Sequence, residues 1–521
     1  MRIGIDVGGT HTDAVAVAGR SVRAEVKTPT TPDVTSGIVT VLAELLATSG
    51  AEPGGVSAVM IGTTHFTNAV VERRRLAPTA CVRLGLPATA GLPPMVDWPP
   101  ALREALGAHV YLAHGGHELD GRAIAPLDRA ELLRIAEDVR AKGVASIAIS
   151  SVFSPVNAAF EQEAAELFAA EIPDAAISLS HEIGRIGLLE RENATIMNAC
   201  LRPLAADIAA AFRTALTRFG IEAPVYLSQN DGTLMTVEHT ERYPVATFAS
   251  GPTNSMRGAA FLSGVDDCAV VDIGGTTADV GVLQHGFPRE AAVAVDIGGV
   301  RTNFRMPDVL SLGIGGGSIV HEEPADVGPQ SVAYELTQEA RVFGGDTLTA
   351  TDIAVAARRA EIGDSARVAD LDPALVERVL TRLEQRLADV VDRMKTSRGA
   401  VPVVVVGGGS ILLGDRLAGA STVIKPDHFA VANAIGAAIG QVGGEVDRVF
   451  SLDETGREAA LEAAKAEAIH KARDAGAGAG STRIVDVDEV PLAYLPGSAT
   501  RIRVEAVGDL ELGRETVAGV R

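Results

Sequence analysis

One short pattern occurs twice in this chain, and it limits the fold more than any other feature. Ile3-Gly4-Ile5-Asp6-Val7-Gly8-Gly9-Thr10-His11-Thr12-Asp13 is matched by Ala269-Val270-Val271-Asp272-Ile273-Gly274-Gly275-Thr276-Thr277-Ala278-Asp279. Each copy is an apolar run, then Asp, an apolar residue, Gly-Gly-Thr, and a second Asp seven positions after the first. An apolar run that ends in paired glycines reads as a buried strand entering a tight turn. Such a turn brings backbone N–H groups close to an anion, and Thr hydroxyls can add further donors to phosphate oxygens. An Asp at the end of the strand suits Mg²⁺, usually through water. A single copy is an ordinary glycine turn. Two copies at matching offsets, each opening an α/β block, imply two related halves with a phosphate loop apiece.

The rest of the chain fits this division. At 521 residues it exceeds one compact core, so several domains are expected. The pattern places them at 1–188, 189–450 and 451–521, the last as a small α+β appendage. Hydrophobic residues make up 47% but aromatics only 4%. The cores must therefore be aliphatic, as in buried parallel strands. Strands are expected at Ala14–Ala18, Val22–Val26, Val56–Ile61, Ser146–Val152, Val225–Leu227 and Val401–Val406. Helices are expected at Thr35–Thr48, Leu127–Lys142 and Ala158–Ala170. A long helical stretch, Ala194–Phe219, should break at Pro203. A charged helix, Glu454–Ala475, precedes the final short strands.

Charge and cysteine usage exclude some classes. A net charge of −21 argues against nucleic acid as a main partner, because phosphate backbones need clustered Lys and Arg. Cys81, Cys200 and Cys268 are far apart and form no CxxC pair, so they read as reduced core residues. Neither a leader segment nor a transmembrane stretch is evident, and a cytoplasmic location is expected.

In outline the pattern resembles the superfamily of actins, sugar kinases and heat-shock chaperones. That superfamily has duplicated ribonuclease H-like domains with a nucleotide cleft between them. The resemblance implies ATP and Mg²⁺ as cofactors. Gly8, Gly9, Thr10, His11 and Thr12, with Gly274, Gly275, Thr276 and Thr277, would hold the phosphates. Asp6, Asp272 and Asp279 are the metal candidates, and Asp6 and Asp272 the catalytic ones. Gly408, Gly409 and Ser410 follow an apolar strand, like the loop that contacts adenosine.

Within the superfamily the chain resembles the A-type subunit of hydantoinases and oxoprolinases. The resemblance covers residues 1–445. It rests on Asp6–Asp13, Gly62-Thr63-Thr64 with Thr67-Asn68-Ala69 and Glu72-Arg73, Ser250-Gly251-Pro252, Asp272–Asp279, and Gly313–Ser318 with Val327-Gly328-Pro329. It departs at His11, at His65-Phe66 and at Tyr334–Gln338, and the chain is shorter than typical members. The resemblance implies that ATP activates a cyclic amide, by phosphorylating its carbonyl oxygen, for hydrolytic ring opening. It also implies a separate B-type subunit, and an oligomer is expected. Two other readings stay open: a sugar or acid kinase with Asp13 or Asp279 as base, and a nucleotide-switched binding module. His65 is a candidate catalytic, substrate-facing residue or a helix-capping one. His114 and His117 lie in what reads as a polar hairpin, not a standard metal pattern.

Overall fold

The computed structural model describes residues 1–9, 11–30, 34–291, 295–304, 306–493 and 496–511. Strand Arg2–Val7 is buried at every position after its first. That is possible because it is paired on both edges: antiparallel to His11–Ala18 and parallel to Ala58–Thr63. Around it grows a nine-stranded mixed sheet. From one edge the order is Arg483–Pro491, Thr500–Gly508, Gln441–Phe450, Thr233–Thr236, Val225–Ser228, Ala58–Thr63, Arg2–Val7, His11–Ala18 and Ser21–Pro29.

This order cuts across the boundaries expected from the sequence. Strands from the 189–450 segment sit in the N-terminal sheet, and the segment beyond residue 450, expected as an appendage, continues it. Thr500–Gly508 pairs antiparallel with Gln441–Phe450 from Val442 to Phe450. The charged helix is Arg457–Asp474, and it packs on these strands through Ala460, Ala464, Ala468 and Ala472. The fully buried positions are all alanine, spaced by four along one side of the helix, with Leu461 and Ile469 partly buried beside them. These alanines also let the helix lie very close: a Cβ at Gly444 would collide with the backbone at Ala468 and Ala472.

A second sheet repeats the first in miniature. Cys268–Ile273 is antiparallel to Ala278–Gln284 and parallel to Val401–Val406. Helix Pro373–Met394 covers it with Leu383, Leu387 and Val391. The two sheets meet through helices Ser250–Ser263 and Ala432–Ala438. Their backbones nearly touch. A side chain at Gly258 would overlap Ala432, and one at Gly436 would overlap Asn254.

A third, fully parallel sheet is inserted between residues 79 and 179, in the order His109–His114, Thr79–Leu86, Ser146–Ser151, Ala176–Leu179. It is tied to the long helix Leu188–Arg218 by a buried ion pair. Arg83 donates from Nε to Glu192 at 2.7 Å, and Ser150 donates to the same carboxylate at 2.6 Å. That helix runs unbroken through Pro203, against expectation. Proline inside a helix costs about 3 kcal/mol. The buried residues on either side, Ile196 to Leu201 and Leu204 to Phe212, supply packing that offsets this. Among the described residues no helix is long and apolar enough to cross a membrane.

Candidate functional site

The two copies of the repeated pattern fold alike down to single hydrogen bonds. In each, the leading Asp stands directly opposite the trailing one across the hairpin: Asp6 faces Asp13 and Asp272 faces Asp279. The first Gly N–H closes each turn, Gly8 onto the carbonyl of His11 at 3.0 Å and Gly274 onto that of Thr277 at 2.8 Å. In each, the parallel neighbour strand leaves a glycine beside the leading Asp. A Cβ at Gly62 would strike the Asp6 carboxylate, and one at Gly407 would strike that of Asp272. These glycines serve the carboxylates, because any side chain there would displace them.

Both turns open onto one cavity of about 270 Å³. Gly8, His11, Asp272, Gly274 and Gly275 line it, as do Gly408 and Gly409. The hairpins and the third glycine loop thus meet at one cavity. Ser410 does not line the cavity; it is buried, and its hydroxyl donates to the Gly407 carbonyl at 2.6 Å. Thr12 is buried beside Thr30, at 3.3 Å between hydroxyls. Gly9, Thr276 and Thr277 lie in the turns but not on the wall. Thr10 lies outside the described residues. The segment Gly313–Ser318 backs the second turn: Gly316 donates to the Gly274 carbonyl at 3.0 Å and Gly317 to that of Gly275 at 2.7 Å. It thus fixes the loop from behind.

Several functional candidates carry no local motif. Lys27 lines the cavity and donates to both oxygens of Asp13, at 2.7 and 2.9 Å. Asn433 joins the hairpin carboxylates, donating from Nδ2 to Asp6 at 2.9 Å and to Asp13 at 3.0 Å. Ser255 lines the same wall beside Asp272. These residues come from chain positions hundreds apart, so spacing could not have found them. Asn433 is the most legible afterwards, as the lone amide in an alanine-rich helix.

The electrostatics are unbalanced in one direction. Burial, with Asp13 alongside, raises the Asp6 carboxyl to about 7. Burial raises Asp272 to about 6; Asp279 adds to this and a hydrogen bond with Ser255 opposes it. Asp279 is also pushed up by burial, and Ser311 donates to it. Asp6 Oδ1 is buried with no hydrogen-bond partner. Such carboxylates fit a divalent cation, whose charge would offset their burial. Among the described residues no group of three or more His, Cys, Asp or Glu could hold a metal.

His65 is the first residue of helix His65–Glu72, and its Nδ1 lies 2.6 Å from the Thr63 hydroxyl. Burial, then Arg75, lowers it to about 4, so it is neutral at pH 7. It does not line the cavity. His117 stacks on Phe160 at 4.3 Å, and His114 pairs with Glu131 at 3.1 Å; among the described residues neither belongs to a metal cluster.

Two related sheets, each carrying the same hairpin turn onto a shared cavity, define a duplicated α/β protein of the actin and sugar-kinase type. The chain belongs to the hydantoinase/oxoprolinase family: residues 2–172 match its N-terminal region and residues 191–364 the hydantoinase/oxoprolinase region proper. It is similar to caprolactamase subunit alpha of Pseudomonas jessenii, with 28% identity over 84% of this chain and 65% of that protein. The gamma subunit of acetophenone carboxylase from Aromatoleum aromaticum is 25% identical over 67% of this chain and 52% of that protein. This chain thus spans less than two thirds of either relative. The crystal structure of the ATP-dependent caprolactamase from Pseudomonas jessenii superposes with a TM-score of 0.79 at 20% identity, over 98% of this chain and 88% of that one.

Proposed function

We propose that this chain is the ATP-using subunit of an amide-activating hydrolase. In this reading it binds ATP with Mg²⁺ between the two hairpins and phosphorylates the carbonyl oxygen of a cyclic amide or related compound. The observation that carries the proposal is the meeting of three glycine loops on one cavity. Phosphoryl transfer depends mostly on positioning and charge neutralisation. The backbone N–H groups of the two turns can donate to phosphate oxygens. Lys27, anchored by Asp13, brings a positive charge to the same wall. Asp272 and Asp6 would hold Mg²⁺, with Asp279 behind them, and bound Mg²⁺ would neutralise phosphate charge. Gly408 would border the adenosine.

A kinase reading is less favoured, because both of its candidate bases are engaged: Asp13 accepts from Lys27 and Asn433, and Asp279 from Ser311. The relatives' names as alpha and gamma subunits support a partner chain, which we assign to the ring-opening step. Purified chain should release ADP faster with lactams or hydantoins than without them, and sugars should have no effect. Stimulation by sugars alone would replace this reading with the kinase one.

A further inference from the structure

Two buried polar atoms lie side by side behind the first hairpin, and neither has a hydrogen-bond partner among the described residues. One is Asp6 Oδ1, an acceptor; the other is Asn254 Nδ2, a donor. Both residues are nearly enclosed, Asp6 at 4% and Asn254 at 2% exposure. Gly62 shows how close the two atoms are. A Cβ built on it would strike both at once, 2.5 Å from Asn254 Nδ2 and nearer still to Asp6 Oδ1. Any residue but glycine would wedge into the space they share.

The fold delivers both atoms to one point. Side chains alternate along a strand, so Gly4 and Asp6 share a face of Arg2–Val7. That face rests on helix Ala432–Ala438: a side chain at Gly4 would overlap the Ala434 carbonyl. Helix Ser250–Ser263 crosses the same helix with Asn254 at the contact, one turn before Gly258. Each of the two crossing helices therefore brings one carboxamide to Asp6. Asn433 already donates to Oδ2 at 2.9 Å. Asn254 stands beside the other oxygen. The next residue, Ser255, hydrogen-bonds Asp272. Neighbouring side chains of one helix thus reach the leading Asp of both hairpins.

Leaving this donor and this acceptor apart is costly, since each has lost its water. A hydrogen bond from an amide to an ionised carboxylate is among the stronger ones. A carboxylate gripped by one amide on each oxygen still keeps lone pairs for water on a cation.

We propose that Asn254 is a positioning residue for Asp6. Its Nδ2 donates to Oδ1 when the cation is bound, so that the two carboxamides hold the carboxylate from both sides. The inference rests on the proposed role of Asp6 in holding Mg²⁺. ADP binding to the full chain is measured by calorimetry without divalent cation and across a Mg²⁺ titration. Wild type, Asp6→Asn, Asn254→Ala and Asn254→Ser are compared. In Asn254→Ala the Mg²⁺ concentration that half-saturates the effect on ADP binding should rise about tenfold or more. Affinity for ADP without Mg²⁺ should stay within about twofold, which also reports that the variant is folded. Asn254→Ser keeps a shorter donor and should fall between Asn254→Ala and wild type; it carries the same test if Asn254→Ala does not fold. A Mg²⁺ dependence equal to wild type overturns the proposal. So does an equal loss of ADP affinity with and without Mg²⁺, which marks a purely structural residue. A shift in Asp6→Asn without one in Asn254→Ala overturns this inference alone. An unshifted Asp6→Asn, or a wild type that binds no ADP, overturns the proposed function and this inference with it.

Discussion

At the scale of single residues, the glycines of the third loop separate by what lies beside them. A side chain at Gly407 or Gly409 would run into the Ile273 backbone, whereas one at Gly408 meets nothing within 4 Å. Gly408→Val should therefore fold normally, with a melting temperature within about 2 °C of wild type, yet lose most of its nucleotide affinity. Equal affinity by calorimetry would detach this loop from the adenosine. Asp6 gives a prediction of a different kind. Folded, it keeps its proton up to about pH 7, while an unfolded Asp loses it near pH 4. The folded state is thus favoured by Asp6 below about pH 4, and that contribution is lost as pH rises to about 7. In metal-free protein, Asp6→Asn should be the more stable form at pH 8, by up to roughly 4 kcal/mol, and the difference should shrink toward pH 4. Thermal melts at both pH values read this directly. A constant offset would mean that Asp6 does not titrate as burial dictates. Asp272→Asn should abolish most ATPase activity without unfolding the chain; full turnover would remove Asp272 from the chemistry.

At the scale of elements, legibility followed periodicity. The hairpins, the strand Val401–Val406 and the capped helix Arg129–Ala141 were visible because apolar runs and turn residues mark them locally. The Lys27–Asp13–Asn433 cluster was not, because only the folded chain brings those elements together. Buried Glu161, paired with His181, left a signal that could have been read: an acid on the same helix face as Ala164 and Phe168. A charge on an apolar stripe needs a buried partner. The alanine-faced helix Arg457–Asp474 was seen as a helix, but its charged surface hid how tightly it docks. Gly444→Ala puts a methyl group into the helix backbone at Ala468 and Ala472. It should cost about 1–3 kcal/mol, as overpacking does. Denaturant melts with an unchanged midpoint would show that the helix can move away freely.

At the scale of the whole molecule, the expected boundary at residue 450 has a direct test. If the last segment were an independent unit, ending the chain at Phe450 would leave a stable protein. The sheet order predicts otherwise. Val446 would lose its cover from Val504 and the alanine helix, and a long strand edge would be left open. We expect the shortened chain to aggregate on expression, and a soluble monomer with native melting behaviour would restore the original boundary. The nine-stranded sheet also constrains how the protein can be made. Its inner strand Arg2–Val7 is made long before three strands of one flank, which come from residues 441–508. Contacts so distant along the chain form slowly. The hairpin Arg2–Ala18 must leave the ribosome and wait, half-built, until residues 441–508 have followed it. Over that interval its apolar strands are the part of the nascent chain most in need of a chaperone's shelter.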